Sequence, residues 1–574
     1  MLICNLNKGF DITDEAFYIL NATYPMRYIN GVSSFAVCTN ILYDLANRDI
    51  VLFRALGVLI LLFSAVFASW QYVVYLEMGG GKKSSLFKDR FLVISVATYS
   101  SLSYYFKNWL TTPSYNWLQL VGSIVVFGAV FYFLNISLLK RVLFASFLAG
   151  IGVFLILCGN PLAAILIACV VFLMISVSQI PIRLKTIMIA ASIFWSLLFF
   201  IINIHINYIN IVNFIDIVLG EMELSKTLGA GHSFYEAFYR FKQAILTLIN
   251  PIVFYVNTKI TLVFLLLITS FFISERKKGF TFRYTNFFLN ISPILIVLIY
   301  CFTEYRNEYT YGLNTIYLLI NLFFIFIIRR FLLDKKMVFS IAIDFSKIFP
   351  LIILFPLLMR FGTNNELISA SFAGMYYYSL MILSFGVFIY TNFEDYHFKY
   401  TFFLVLSILI FSIQLKAYRA PYRLNAPIGE QVYKISPLNN HTELYLEKKT
   451  YEWAIKLQEA AIENNWCVGD SIIDLTGGSP GVAVILGGVL PGVAWLSGGY
   501  KGSDAYALKV LSNIDERVLK QSWILLSPKG KLRISPGVLK KLNINLDEYR
   551  RVVSVRSGYR NELQELWRPL INSR

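Results

Sequence analysis

The sequence predicts an α-helical polytopic membrane protein with about twelve transmembrane helices and a C-terminal α/β extracytoplasmic domain. Three observations predict it. Of the 574 residues, 57% are hydrophobic and only 15% are charged, against roughly 25% charged in ordinary soluble domains. Apolar runs close to the length of a bilayer crossing recur through residues 51–415. Beyond residue 416 they stop, and 22 Lys/Arg and 15 Asp/Glu appear in a stretch long enough for a small domain. Such a composition excludes a soluble globular enzyme, a disordered chain and a fibrous one.

Residues 1–50 form an acidic, amphipathic segment suited to lying on a bilayer. A crossing needs about 20 apolar residues. Candidates lie near 51–76, 91–106, 117–139, 142–157, 161–177, 186–203, 258–274, 286–302, 312–328, 337–358, 375–390 and 401–415. The turn Cys158-Gly159-Asn160-Pro161 divides two of them into a tight helical hairpin. A large loop, 204–257, interrupts the series. In the tail, a helix is expected over 445–464 and strands over 470–475, 522–527 and 551–555. Helical patterns lie near 503–521 and 536–543.

The formal net charge is +17. One set of alternate loops holds 17 Lys/Arg, among them Lys82, Lys83, Lys140, Arg141, Arg183 and Lys185. The opposite short loops hold only Lys107, Arg306 and Arg360. Cytoplasmic loops collect cations, so the first set faces the cytoplasm, and the excess reports topology rather than nucleic-acid binding. Residues 1–50, the 204–257 loop and the tail then lie outside. The six cysteines form no CxxC pair, and no disulfide framework is expected. No HExxH or Cys/His metal pattern occurs.

Asp11, Asp14 and Glu15 precede an apolar-periodic stretch. One reading is a helix start, capped by Thr13 or Asp11, with first-turn acids complementing the dipole. The other is chemical. If the helix includes Asp11, then Asp14 and Tyr18 follow on one face, and a carboxylate facing a cleft could take a proton from an attacking hydroxyl. Arg240 and Lys242 in the large loop, with Arg306 and Arg360 in short outer loops, are candidate anion ligands, and the alternative reading of Arg306 and Arg360 is a solvated or headgroup-facing loop. Asp344 and Lys347, three residues apart in an apolar run, read as a structural pair. Gly477-Gly478-Ser479-Pro480-Gly481 matches no phosphate-loop motif and reads as turns with close backbone packing.

The segment GFDITDEAFYIL, followed by amphipathic stretches and a many-span core, resembles the GT-C superfamily of membrane glycosyltransferases. Within it, the protein O-mannosyltransferases and lipid A aminoarabinose transferases are most similar. TTPSYNW (Thr111–Trp117), FGTNNEL (Phe361–Leu367) and GGSPGVAVILGGVLPGVAWL (Gly477–Leu496) add further likeness. The resemblance implies a GT-C-like core in a bacterial cytoplasmic (inner) membrane. It implies a polyprenyl-phosphate sugar donor and a glycan, lipid or protein acceptor at the outer face. It carries the family's acidic residue onto Asp14, with Glu15 beside it. Asp11, Tyr115, Asn116, Arg240, Lys242, Arg306, Arg360, Asn364 and Asn365 are the expected substrate-binding residues. A divalent cation between Asp14 and the phosphate fits this chemistry, although no full ligand set is visible. The family has a membrane helix before its acidic loop, whereas only ten residues, Met1–Phe10, precede Asp11 here. A truncated copy or a start lying upstream is the expectation. The alternatives are a polysaccharide polymerase or ligase, a lipid or polysaccharide transporter, and a non-catalytic membrane subunit.

Overall fold

The computed structural model describes residues 1–28, 33–79, 86–135, 138–208, 210–229, 238–243, 246, 349–362, 374–391 and 396–570. The chain opens with two short helices, α1 (Asp14–Thr23) and α2 (Phe35–Leu45). The bundle follows: α3 (Ile50–Gly79), α4 (Leu86–Ser101), α5 (Ser103–Asn108), α6 (Tyr115–Leu134), α7 (Leu139–Gly159), α8 (Pro161–Val177) and α9 (Ile182–Tyr208). Then come α10 (Ile211–Leu228), α11 (Phe349–Leu358), α12 (Met375–Thr391) and α13 (Tyr396–Arg419).

Among the described residues, four helices are long and apolar enough to cross a membrane: Ile50–Glu77, Tyr115–Leu134, Leu139–Gly159 and Ile182–Tyr208. They match four expected crossings. Those near 258–274, 286–302 and 312–328, most of 337–358, and the Asp344–Lys347 pair lie outside the described residues. The crossing expected at 91–106 is broken into α4 and α5. Ser100 and Ser101 turn their hydroxyls back onto the carbonyls of Ala97 and Thr98, at 2.6 and 2.7 Å, just before the break. Such back-bonding competes with the helical ladder. The hairpin expected at Cys158–Pro161 is present. Asn160 Oδ1 accepts from Ala163 N–H at 3.2 Å, and Pro161 opens α8.

Helix α6 is the bundle's centre, with most of its side chains buried. A Cβ on its Gly122 would lie 2.6 Å from the Gly152 carbonyl of α7, so only glycine admits this close approach. Trp117 Nε1 donates to Gly57 O of α3 at 3.1 Å. Helix α9 is peripheral and exposes Ile193, Phe194, Leu197 and Ile201. The two ends of the bundle differ. One carries Arg90 paired with Glu77, together with Lys140, Arg141, Arg183 and Lys185 at helix starts. The other gathers the starts of α3, α6 and α8 and the ends of α7, α9 and α13.

The C-terminal part contains β1 (Tyr433–Ile435), β2 (Leu444–Leu446), α14 (Lys448–Glu463), β3 (Ile472–Asp474), α15 (Gly481–Leu486) and α16 (Ser503–Leu511). It continues through α17 (Glu516–Gln521), β4 (Trp523–Leu526), α18 (Gly537–Lys541), β5 (Tyr549–Arg556) and β6 (Leu563–Pro569). Strands β1 and β2 form an antiparallel hairpin; the second sheet has order β3-β4-β6-β5, with β3 and β4 parallel and the other pairs antiparallel. The expected α/β tail is therefore present. The β1–β2 hairpin and β6 are additional, and the latter is obscured in the sequence by Glu565, Arg568 and Pro569.

The N-terminal segment packs against the C-terminal part. Tyr445 in β2 pairs with it, accepting from Gly9 N–H at 2.9 Å and donating to Asn7 O at 2.8 Å. Ala16, Ile19 and Leu20 of α1 share one core with Leu444, Trp453, Leu457 and Ile485 of the tail. Tyr18 packs into the bundle core instead. Helix α1 is thus a wedge with one side in each body, because its apolar residues lie around more than one face.

Candidate functional site

The site begins with the turn Asp11-Ile12-Thr13-Asp14. Asp11 Oδ1 accepts from Thr13 N–H at 3.0 Å and from Thr13 Oγ1 at 2.6 Å, while Oδ2 accepts from Asp14 N–H at 3.1 Å. Helix α1 starts at Asp14, so Asp11 lies outside it. The expected face running Asp11, Asp14, Tyr18 therefore reduces to Asp14 and Tyr18, and Asp11 serves the first turn as a cap.

Glu15 points the other way. Its carboxylate meets Arg54 of α3, with Arg54 Nε donating at 3.0 Å and Nη2 at 2.8 Å. Thr112 Oγ1 also donates to it, and Glu15 Oε2 accepts from Asp11 N–H at 3.2 Å. Arg54 is 1% exposed and also donates to Leu6 O and Gly9 O. This fully partnered buried pair anchors the turn to the bundle. Such a geometry supplies rigidity rather than a free base.

Asp14 is the accessible carboxylate, with its side chain one quarter exposed. Its Oδ2 lies 3.1 Å from Arg423 Nη1. Arg423 also donates to Thr13 Oγ1, and its guanidinium lies 4.6 Å from the Tyr422 ring centre. The Arg423 backbone has φ of 55°, a left-handed conformation uncommon for a non-glycine residue. Burial pushes the Asp14 carboxyl up, opposed by the Arg423 cation and the Tyr422 hydroxyl. Burial, then the Asp14 charge, pushes Asp11 up to about 7. The two carboxyls together hold a proton more tightly than separate solvated acids would.

A second group adjoins the first. The Tyr18 and Tyr115 rings are 5.8 Å apart, their hydroxyls interact, and both feel the Asp14 charge. Arg360 is buried, donates to Asn116 Oδ1 and lies near Tyr18, Tyr104 and Tyr115. Tyr104 and Ser114 hydroxyls are 3.0 Å apart, and Ser114 caps α6, which aims Tyr115 and Asn116 at the cluster. Asn160 Nδ2 donates to Phe361 O at 2.7 Å, tying the hairpin to the segment that carries Arg360.

Of the sequence-derived site residues, the structure brings Asp11, Asp14, Glu15, Tyr115, Asn116 and Arg360 to one end of the bundle. Arg240 and Lys242 lie in the helical stretch 238–243, beside which Phe241 meets Phe361 with ring centres 5.6 Å apart. Lys242 is exposed and Arg240 half-buried. Arg306, Asn364 and Asn365 fall outside the described residues. Sequence reasoning missed Tyr422, Arg423 and Arg54. A cation inside the apolar run IVLFRALG, residues 50–57, was a visible signal for Arg54, since an intramembrane charge demands a partner.

Among the described residues no divalent-cation site is assembled. Asp11's oxygens are held by Thr13 and Asp14 N–H, and Glu15's by Arg54 and Thr112, which leaves Asp14 alone. No group of three or more His, Cys, Asp or Glu side chains able to hold a metal occurs among the described residues.

The fold and the cluster define a helical protein with several membrane-length apolar helices and an α/β domain closed over a carboxylate–arginine site. No family model, curated protein or solved structure matches this chain.

Proposed function

We propose that the protein is an inverting membrane glycosyltransferase that moves a sugar from a polyprenyl-phosphate carrier to a glycan, lipid or protein acceptor at the outer face. The observation carrying this reading is Asp14 beside Arg423, with Arg360, Asn116 and Tyr115 adjoining, at the bundle end covered by the C-terminal domain. Asp14 takes the acceptor hydroxyl proton. The hydroxyl oxygen attacks the anomeric carbon, the carbon–oxygen bond to phosphate breaks, and polyprenyl phosphate leaves. Arg423 exchanges its contact with Asp14 for the phosphate, which both stabilises the leaving group and frees the base. Arg360 adds charge on the Tyr115 side.

The loop charges support an outward-facing site, because the cation-rich helix ends lie opposite it. Nucleotide sugars are made in the cytosol, so a lipid-linked donor suits that face. A cluster at the end of a bundle also favours group transfer over transport, which builds its site near the midplane. The test is direct. Purified protein in nanodiscs should transfer sugar from a synthetic polyprenyl-phosphate sugar. Turnover of UDP- or GDP-sugars without a lipid carrier would sink both the donor class and the active face.

A further inference from the structure

The glycine-rich loop of the tail, residues 474–481, ends directly on the acidic turn. Gly481 N–H donates to Ile12 O at 2.8 Å, and a Cβ on Gly481 would lie 2.8 Å from the Ile12 backbone. No side chain fits there without moving the turn. The loop itself is rigidly built. Asp474 Oδ1 accepts from Thr476 N–H at 2.9 Å and from its hydroxyl at 2.6 Å, and Oδ2 accepts from Ser479 N–H at 3.2 Å. Ser479 Oγ accepts from Gln564 Nε2 at 2.7 Å, and Gln564 Oε1 accepts from Trp453 Nε1 at 2.9 Å. Gly477, with φ of +70°, closes against Gly498 and the Leu532 carbonyl, where any side chain would collide. Trp495 donates to Gly477 O at 3.0 Å, and its ring centre lies 6.3 Å from that of Phe17 on α1. Rigid hydrogen bonds therefore run from the tail's core, through this loop, to the carbonyl between Asp11 and Thr13.

We infer that the C-terminal domain is a working part of the site, and that Gly481 is a positioning residue setting where Asp14 stands. The inference rests on the reading of Asp14 as the base. Three anchors then fix the acidic turn: Arg54 from the bundle, Arg423 from the segment after α13, and Gly481 from the tail. The first two act through side chains and charge. The third acts through backbone contact alone and sets distance without altering the local field.

The experiment is Gly481→Ala in the full chain, with Gly537→Ala in a distant part of the tail as control. Hydrogen–deuterium exchange and transfer kinetics are measured on both. The inference expects faster exchange across residues 11–17 with β3 and β4 unchanged. It also expects kcat to fall by up to about 10²-fold with little change in KM, as for a small misplacement of a reacting group. The control should match the parent. Unchanged exchange at 11–17 would overturn the inference, as would loosening of β3 and β4 to the same extent. The exchange arm needs no turnover, so it decides the contact even if no sugar is ever transferred. If Gly481→Ala does not fold, Trp495→Leu probes the same seam with the same two outcomes.

Discussion

Asp14 stands between opposing influences. Burial holds its proton and Arg423 drives it off. The cap is provided by Asp11, whose Oδ2 already takes the Asp14 N–H. Asp14→Asn keeps the cap and loses only the partly exposed ion pair with Arg423, so thermal stability should fall modestly, by about 1 kcal/mol or less, while transfer falls by about 10²–10⁴-fold, the usual loss of a general base. Melting temperature and turnover on one preparation check this; lost stability with retained turnover would return Asp14 to a capping role. Asp11 gives a pH prediction. Its carboxyl rises from an ordinary 3.8 to about 7 on folding, so the folded state binds its proton more tightly. The stability this contributes is full below about pH 4 and is lost as pH rises through about 7. Asp11→Asn should remove that slope from the melting temperature measured between pH 4 and 7. The acidic pair was legible in the sequence because four acid or hydroxyl residues precede an apolar helix. Arg423 was not, since it sits among the many cations of the tail, where nothing in composition separates a site residue from a solvated one.

The elements explain why Glu15 and Asp14, neighbours in sequence, do different work. Successive helix positions diverge by about a quarter turn or more, so one acid enters the bundle and the other faces the cleft. Arg54 on α3 then fixes the rotation of α1. Glu15→Gln leaves Arg54 as a buried cation without its counter-charge, and the expected cost is about 3–5 kcal/mol. Denaturant unfolding in nanodiscs measures it; a loss under about 1 kcal/mol would show that the pair is not an anchor. The crossings matching α3, α6, α7 and α9 were readable from apolar length alone. The break between α4 and α5 was not, because serines are ordinary in an apolar run until their hydroxyls turn onto the backbone.

At the scale of the whole molecule, the two bodies are joined through α1, and this seam is what the sequence concealed. The hydrophobic pattern of residues 14–23 says that α1 is buried on more than one face. It does not say that the second partner is a domain more than 400 residues away in the chain, as the Thr13–Arg423 contact, 410 residues apart, shows. The charge count did anticipate the grouping of loops: the starts of α6 and α8 and the end of α13 share an end, away from Lys140 and Arg183. Alkaline phosphatase fused after Arg574 should accordingly be active. An active cytosolic reporter at that position would mean that the sidedness is reversed.

The pairing of Asn7 and Gly9 with Tyr445 also has a bearing on synthesis. A ribosome making this chain releases the acidic turn first and the strand that receives it several hundred residues later. Bundle helices can assemble meanwhile, and by holding Arg54 and the start of α6 in place they shorten the search that would otherwise close so long a loop. Until the tail emerges, the nascent chain carries its acids beside an unfinished partner surface and has no assembled site. On the proposed function, a chain cut short before Arg423 would lack the cation that pairs with Asp14, and one cut before the glycine-rich loop would lack the backbone contact that places the acidic turn.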